Sequence, residues 1–271
     1  RIFMQAVPGY ISSTTDFWET DAGLLVTETT IAGFSGFNPD GVPEFCRSRK
    51  AAQYADNLDQ WIAIYSAENN GGYANSWLLG DVKSGEIARY EQGLQFSGLS
   101  RTHDGYYAGF NTPVDLKIRN QECSGEAEEY SDIRKNGSRR LRWMQMTSEL
   151  HGRIDAEAAK SMIADHYDVY RKVDDNPCSR TVCGHLELDA AEFGSHDDQG
   201  PFYPWGACDA KVADSEMAAT LSMWGRWGHS CGMPFDVGAF LQEHPQYDWL
   251  QGYMRDRPSQ PWTQFSVGDQ G

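Results

Sequence analysis

Apolar and polar positions along the chain change period several times, and each change marks an element. Leu24-Leu-Val-Thr-Glu-Thr-Thr-Ile31 is rich in β-branched residues and follows the turn-prone Asp21-Ala22-Gly23, the pattern of a buried or half-buried strand. A loop punctuated by Gly33, Gly36, Pro39 and Gly41 comes next. From Pro43 the period lengthens: Ala51, Ala55, Leu58, Ile62 and Tyr65 recur every three or four residues, predicting an amphipathic helix with Pro43 in its first turn and an end near Asn69-Asn70-Gly71-Gly72. Ser76-Trp-Leu-Leu-Gly-Asp81, a turn at Lys83-Ser84-Gly85, and Glu86-Ile-Ala-Arg-Tyr-Glu91 read as a β-hairpin. A further strand is expected at Gly105–Phe110. Helices are expected over Gly137–Leu150 and Asp155–Arg171, the latter with Ala159, Met162, Ile163, His166, Tyr167 and Tyr170 on one face. Met217–Trp224 reads as another strand and Val237–Leu250 as a helix interrupted by Pro245.

Blocks of strand and helix without strict alternation favour antiparallel sheets covered by helices, an α+β arrangement. The stretch from Asp174 to Asp214 carries Pro, Gly and many acids, as a linker would, yet Phe202, Tyr203 and Trp205 argue that it packs, so residues 1–271 are expected to form a single domain.

Charge narrows the partners. With 39 acidic against 23 basic side chains the formal net charge is -16, which repels nucleic acid and anionic membrane surfaces. No run of about 18 apolar residues is present to span a bilayer. Six cysteines permit disulfides; Cys178 and Cys183, in a loop after Asn176-Pro177, are spaced for a short bridge rather than for a metal, and this mildly favours an oxidising compartment. Helix-borne pairs of histidine at metal spacing are missing from the sequence. His103-Asp104, His185-Leu-Glu187 and His196-Asp197-Asp198 therefore read as loop polarity, and His166 as a core residue on an apolar helical face. Metal-assisted hydrolysis by these clusters is the least economical reading.

Acyl transfer requires a nucleophile, a base, donors for an oxyanion and a group that steadies charge. Asn111 stands where a strand is expected to end, with Pro113 holding Thr112 extended; Thr29 and Thr30 close the first strand on opposite faces; Arg139 and Arg140 open a helix, a poor place for a cation unless it holds an anion. Each also fits an ordinary role, as a turn asparagine, as strand threonines, or as a solvated basic face shared with Arg142. On the residues alone those roles are the more economical. Cys46 at a helix start reads as a structural thiol, Cys231 beside His229 makes a Cys-His pair conceivable, and Asn136-Gly-Ser138 is a glycosylation sequon.

The order of Asp21–Thr30, Asn75–Asp81, Gly109-Phe-Asn-Thr-Pro113 and Gly137-Ser-Arg-Arg140 resembles an N-terminal-nucleophile hydrolase, and most of all the phospholipase B-like family. The similarity runs through Pro8-Gly9, Asp16-Phe17, Gly23-Leu24, Thr29-Thr30, Arg49, Ala55-Asp56, Asn75 with Asp81, Phe110–Pro113, Arg139, Asn176-Pro177-Cys178, and Gly206 with Asp209–Asp214, covering the chain to about residue 215. The resemblance extends more widely to enzymes of the acyl-CoA:isopenicillin N acyltransferase, penicillin V acylase and bile salt hydrolase types, the last two using Asn-x-Pro and Ser-Arg in positions comparable to Asn111-Thr-Pro113 and Ser138-Arg139. The resemblance implies a four-layer αββα sandwich and hydrolysis of an amide or ester bond of an acylated lipid or N-acyl amide by a cysteine at a matured N-terminus. It also implies autoproteolysis leaving an N-terminal companion peptide, and the acyl-transfer mechanism requires no metal or organic cofactor; the cysteines weakly favour a secreted, periplasmic or lysosome-like location. Carried over by position, Asn111 orients the nucleophile or serves the oxyanion, Thr29 or Thr30 lines the oxyanion site, Arg139 stabilises the thiolate, and Asn75 and Asp81 support them. Arg1 cannot be a nucleophile, so the cysteine is expected upstream of residue 1 and this chain alone is expected to be inactive. Ile31 stands where mammalian members tend to have Asn. The alternative is a non-catalytic binding relative with the same fold.

Overall fold

The computed structural model describes residues 1–13, 15–125, 129–189 and 209–268. The chain is α+β, with antiparallel sheets and helices. It divides into two compact units, one of Arg1–Tyr130 with Ala213–Met223 and Phe265–Gly271, the other of Ser131–Val212 with Trp224–Gln264.

In the first unit six strands form an antiparallel meander in sequence order: β1 (Ile2–Met4), β2 (Phe17–Thr20), β3 (Leu24–Thr30), β4 (Asn75–Asp81), β5 (Glu86–Gln92) and β6 (Ser97–Thr102). Side chains alternate between sheet faces. Leu24 and Val26 of β3, Trp77 and Leu79 of β4 and Ala88 and Tyr90 of β5 thus meet α1 (Glu44–Tyr54) and α2 (Leu58–Ser66) in one core with Trp18, Trp61 and Tyr65. Four of these rings interlock: Trp77 lies 5.4 Å from Trp18, 5.1 Å from Trp61 and 4.9 Å from Tyr65 between centroids. Trp61 and Tyr65 stack at 4.9 Å.

The helix expected as one from Pro43 onward is two. Its apolar period runs unbroken through Ala55 and Leu58, but Ala55 is extended, and Asn57 starts a new helix by accepting the Gln60 N–H at 3.0 Å. The expected hairpin of β4 and β5 forms, pairing Asp81 with Glu86 and Asn75 with Gln92, with Asp81 at its turn accepting the Lys83 N–H and the Ser84 hydroxyl, both at 2.9 Å. The strand expected at Gly105–Phe110 does not form; β6 takes that edge and 106–110 are irregular.

The second unit contains α3 (Asn136–Glu149) and α4 (Ala156–Ile163). The helix expected to run to Arg171 stops at Ile163, and His166, Tyr167 and Tyr170 lie in the turns beyond. A three-stranded sheet has the order β7 (Asp209–Val212), β8 (Ser222–Trp227), β9 (Thr263–Ser266). Met217–Trp224, expected as one strand, is split between α5 (Ser215–Ala219), capped by Asp214, and β8. After α6 (Val237–Glu243), Pro245 opens a 3-10 turn at Pro245–Leu250, as its ring demands. Cys178 and Cys183 are free thiols rather than the short bridge expected. Cys208, His196-Asp197-Asp198, Phe202, Tyr203 and Trp205 lie outside the described residues. Among the described residues no helix is long and apolar enough to cross a membrane.

Candidate functional site

The last residues of β3 gather the strongest constellation of the first unit. Glu28 and Thr30 continue the helix-covered face begun by Leu24 and Val26, while Thr29 points to the other face. Thr29 Oγ1 accepts the Asn111 N–H at 3.1 Å, and the Asn111 side chain donates from Nδ2 to the Thr30 carbonyl at 2.9 Å. The Asn111 carbonyl in turn accepts the Ala32 N–H at 2.9 Å. Asn111 sits at φ 64, in the left-handed region that asparagine tolerates better than most residues. Two residues earlier, a Cβ on Gly109 would lie 2.0 Å from the Thr29 methyl, so only glycine lets this loop approach β3.

Glu91 holds the loop from its far side. Its buried carboxylate accepts the Val114 and Asp115 N–H groups at 2.9 and 2.6 Å and the Ser76 hydroxyl at 2.8 Å. The Asn111-Thr-Pro113 turn is therefore clamped between β3 and β5, which fixes the asparagine amide in space.

On the helix-covered face, Thr30 Oγ1 lies 2.6 Å from Tyr73 Oη, and Tyr73 donates to Glu28 Oε1 at 3.1 Å. With its amide oriented to satisfy its neighbours, Asn75 donates to Glu28 Oε2 at 2.7 Å and to the Ala74 carbonyl at 2.9 Å. Burial, together with Asp16 beside it, pushes the Glu28 carboxyl far above the usual carboxylate range. Burial also raises Glu44, in the first turn of α1, to about 7, with Asp16 adding to the shift. The nearby Arg47 is occupied by the Val42 and Tyr65 carbonyls, Gln92 and Asn69.

Residues 1–95 match the family model described as Phospholipase B. Phospholipase B of Crotalus adamanteus is 25% identical over 250 residues, spanning 83% of this chain and 42% of the relative. Phospholipase B-like 1 of Homo sapiens is 28% identical over 246 residues, with 83% and 42% covered. Over these stretches the chain is similar to proteins of the phospholipase B-like family. A putative phospholipase B-like 1 of Caenorhabditis elegans, 24% identical over 283 residues, is covered to 47% by 92% of this chain. The chain thus spans less than half the length of these relatives.

In this chain Thr29, Thr30, Asn75 and Asn111 come together, although Asn111 lies past the stretch matched by the family model. Asp81 does not join them: it pairs with Leu24 at the opposite end of β4 from Asn75 and serves the hairpin turn. Arg139 belongs to the second unit, where its guanidinium donates to Asn136 Oδ1 in the first turn of α3. Sequence reasoning missed Glu28, Tyr73, Glu44 and Glu91. Glu28 left a signal, a lone acid inside a β-branched run on the same face as Val26. Tyr73 and Glu91 left none, since their roles depend on cross-strand partners.

Proposed function

We propose that this chain builds the acyl-transfer wall of a cysteine N-terminal-nucleophile hydrolase acting on an amide or ester of an acylated lipid or N-acyl amide, the nucleophile coming from a segment outside these 271 residues. The observation that carries this reading is the clamped Asn111 at the end of β3, held by Thr29, Thr30 and the Glu91-anchored loop. An amide so fixed can orient a nucleophile or stabilise an oxyanion without reorganising during the reaction. Glu28, Glu44 and Asp16 bring three carboxyl groups together, a cluster that gives up its protons more readily when a cation stands beside it. In this reading the neutral α-amine of the matured cysteine takes the thiol proton as the sulfur attacks the acyl carbonyl, and the ammonium so formed is the cation this cluster suits. The amine then returns the proton to the leaving group, and water releases the acyl group. The four-layer sandwich and autoproteolysis belong to the same proposal. No metal or organic cofactor takes part in these steps.

The test is expression of the longer protein with its upstream segment, followed by intact mass and turnover of phospholipid and N-acyl amide substrates. Maturation to an N-terminal cysteine with an acyl-enzyme trapped on it is the expected result. Asn111→Gly, which keeps the backbone conformation but removes the amide, is expected to lower kcat by about 100- to 1,000-fold. A matured, folded protein that binds acyl substrates and forms no acyl-enzyme would instead establish the binding-relative reading.

A further inference from the structure

The second unit holds a cluster that the hydrolase reading does not use. The ligand-type atoms of His166, Cys183, His185 and Cys231 all lie within 4.8 Å of one another. Cys183 and His185 sit in the loop before a 3-10 turn (Leu186–Leu188), His166 follows α4, and Cys231 follows β8. His185 Nε2 is 3.4 Å from Cys183 Sγ and 3.5 Å from Cys231 Sγ. Sulfur and nitrogen bound to one tetrahedral zinc at ordinary bond lengths are separated by about 3.6 Å. His166 Nε2 is buried and its ring lies within the same 4.8 Å group as Cys231 Sγ.

The surroundings are those of ligands already aimed. His185 Nδ1 meets Glu187 Oε1 at 2.9 Å and His166 Nδ1 meets Asp175 Oδ1 at 2.9 Å, so each carboxylate holds its ring with Nε2 turned toward the sulfurs. Ser230 Oγ lies 3.1 Å from Cys183 Sγ, and the Met233 N–H donates to Cys231 Sγ at 3.3 Å, contacts that suit thiolates. Glu187 is braced in turn by His229 Nε2 at 2.9 Å.

Energetics point the same way. Both apolar clusters among the described residues lie in the first unit. The buried centre of the second unit is polar, with Asp168, Thr181, Cys183 and His185 fully buried and His229 at 1% exposure. A unit of this kind gains from a cross-link.

We infer that His166, Cys183, His185 and Cys231 form a structural zinc site that ties the turn after α4, the 178–188 loop and the turn after β8 together. Two thiolates and two neutral imidazoles cancel the charge of Zn2+, which makes the centre cheap to bury, and four protein ligands leave no position for a substrate. Binding releases the thiol protons to solvent and needs no oxidant. The inference is independent of the hydrolase reading. Sequence spacing pointed away from it because the Cys178 and Cys183 pair is not the pair used: Cys183 teams with Cys231, far along the chain.

The deciding measurement is zinc content of the full chain by elemental mass spectrometry, with peptide mapping of the unreduced protein. One zinc per chain is expected, lost in Cys231→Ser and kept in Cys46→Ser. Cobalt added in place of zinc should show thiolate-to-metal charge transfer and the visible bands of a tetrahedral site. Because Cys231→Ser can fail to fold, Asp175→Asn provides a milder probe: it removes only the acceptor that orients His166 and should weaken zinc by about 10- to 100-fold in chelator competition. A folded chain that takes up no zinc with both thiols free, or one in which Cys183 and Cys231 are joined as a disulfide, would overturn the site.

Discussion

Asn111 combines two properties that mutation can separate. Its left-handed backbone requires a residue that tolerates φ 64, and its amide ties the loop to the Thr30 carbonyl. Asn111→Ala keeps neither and is expected to lower stability by about 1–2 kcal/mol, while Asn111→Gly relieves the backbone part of that loss; urea unfolding of both variants checks the order. Glu44 allows a pH test. The folded protein holds its proton up to about pH 7, whereas the carboxyl ordinarily releases it near 4.5. The folded state therefore binds more protons in that window, and stability falls as pH rises from about 4.5 through 7. Glu44→Gln should raise the thermal midpoint at pH 8, change it little at pH 4 and flatten the slope between. An unchanged slope in the variant would sink this account.

At the scale of elements, the loop clamp is the part most open to test. Glu91→Ala removes three hydrogen bonds from a buried carboxylate and frees the Val114 and Asp115 N–H groups, an expected loss of about 3 kcal/mol. Hydrogen exchange should show faster opening at 111–115 with β1–β3 little changed. What the sequence disclosed follows the range of the forces. The hairpin of β4 and β5 was legible because its turn residues and its alternation are local. The break between α1 and α2 was not, because apolar period continues across Ala55 and Leu58 while the interruption rests on Asn57 capping a new helix. Gly105–Phe110 has strand composition, but its end is committed to Thr29 and a left-handed Asn111, which no local pattern reveals. Of the candidate site, Thr29, Thr30, Asn75 and Asn111 were readable through family resemblance. Their partners Glu28 and Tyr73, and Glu91 that anchors the loop after Asn111, come from contacts between strands and loops far apart in sequence, and the four Cys and His ligands come from three separate segments.

For the molecule as a whole, the two units rest on different chemistry. The first is held by an apolar aromatic core, whereas the centre of the second is a polar network in which Arg180 and Asp168 pair at 2.7 Å near the Cys and His group. Treatment with a zinc chelator should therefore lower the thermal midpoint of the chain and speed proteolysis within 163–189 and 224–233, and zinc added back should restore both. The first unit carries its own optical signature. Trp18, Trp61, Trp77 and Tyr65 are packed with centroids about 5 Å apart and held at fixed tilts. Rings so close and so rigid couple their electronic transitions, and the coupling is chiral only while the sheet and both helices hold them. Near-ultraviolet circular dichroism should therefore contain a band pair that Trp77→Phe abolishes, an intrinsic gauge of whether the β-meander is intact while chelator acts on the other half of the chain.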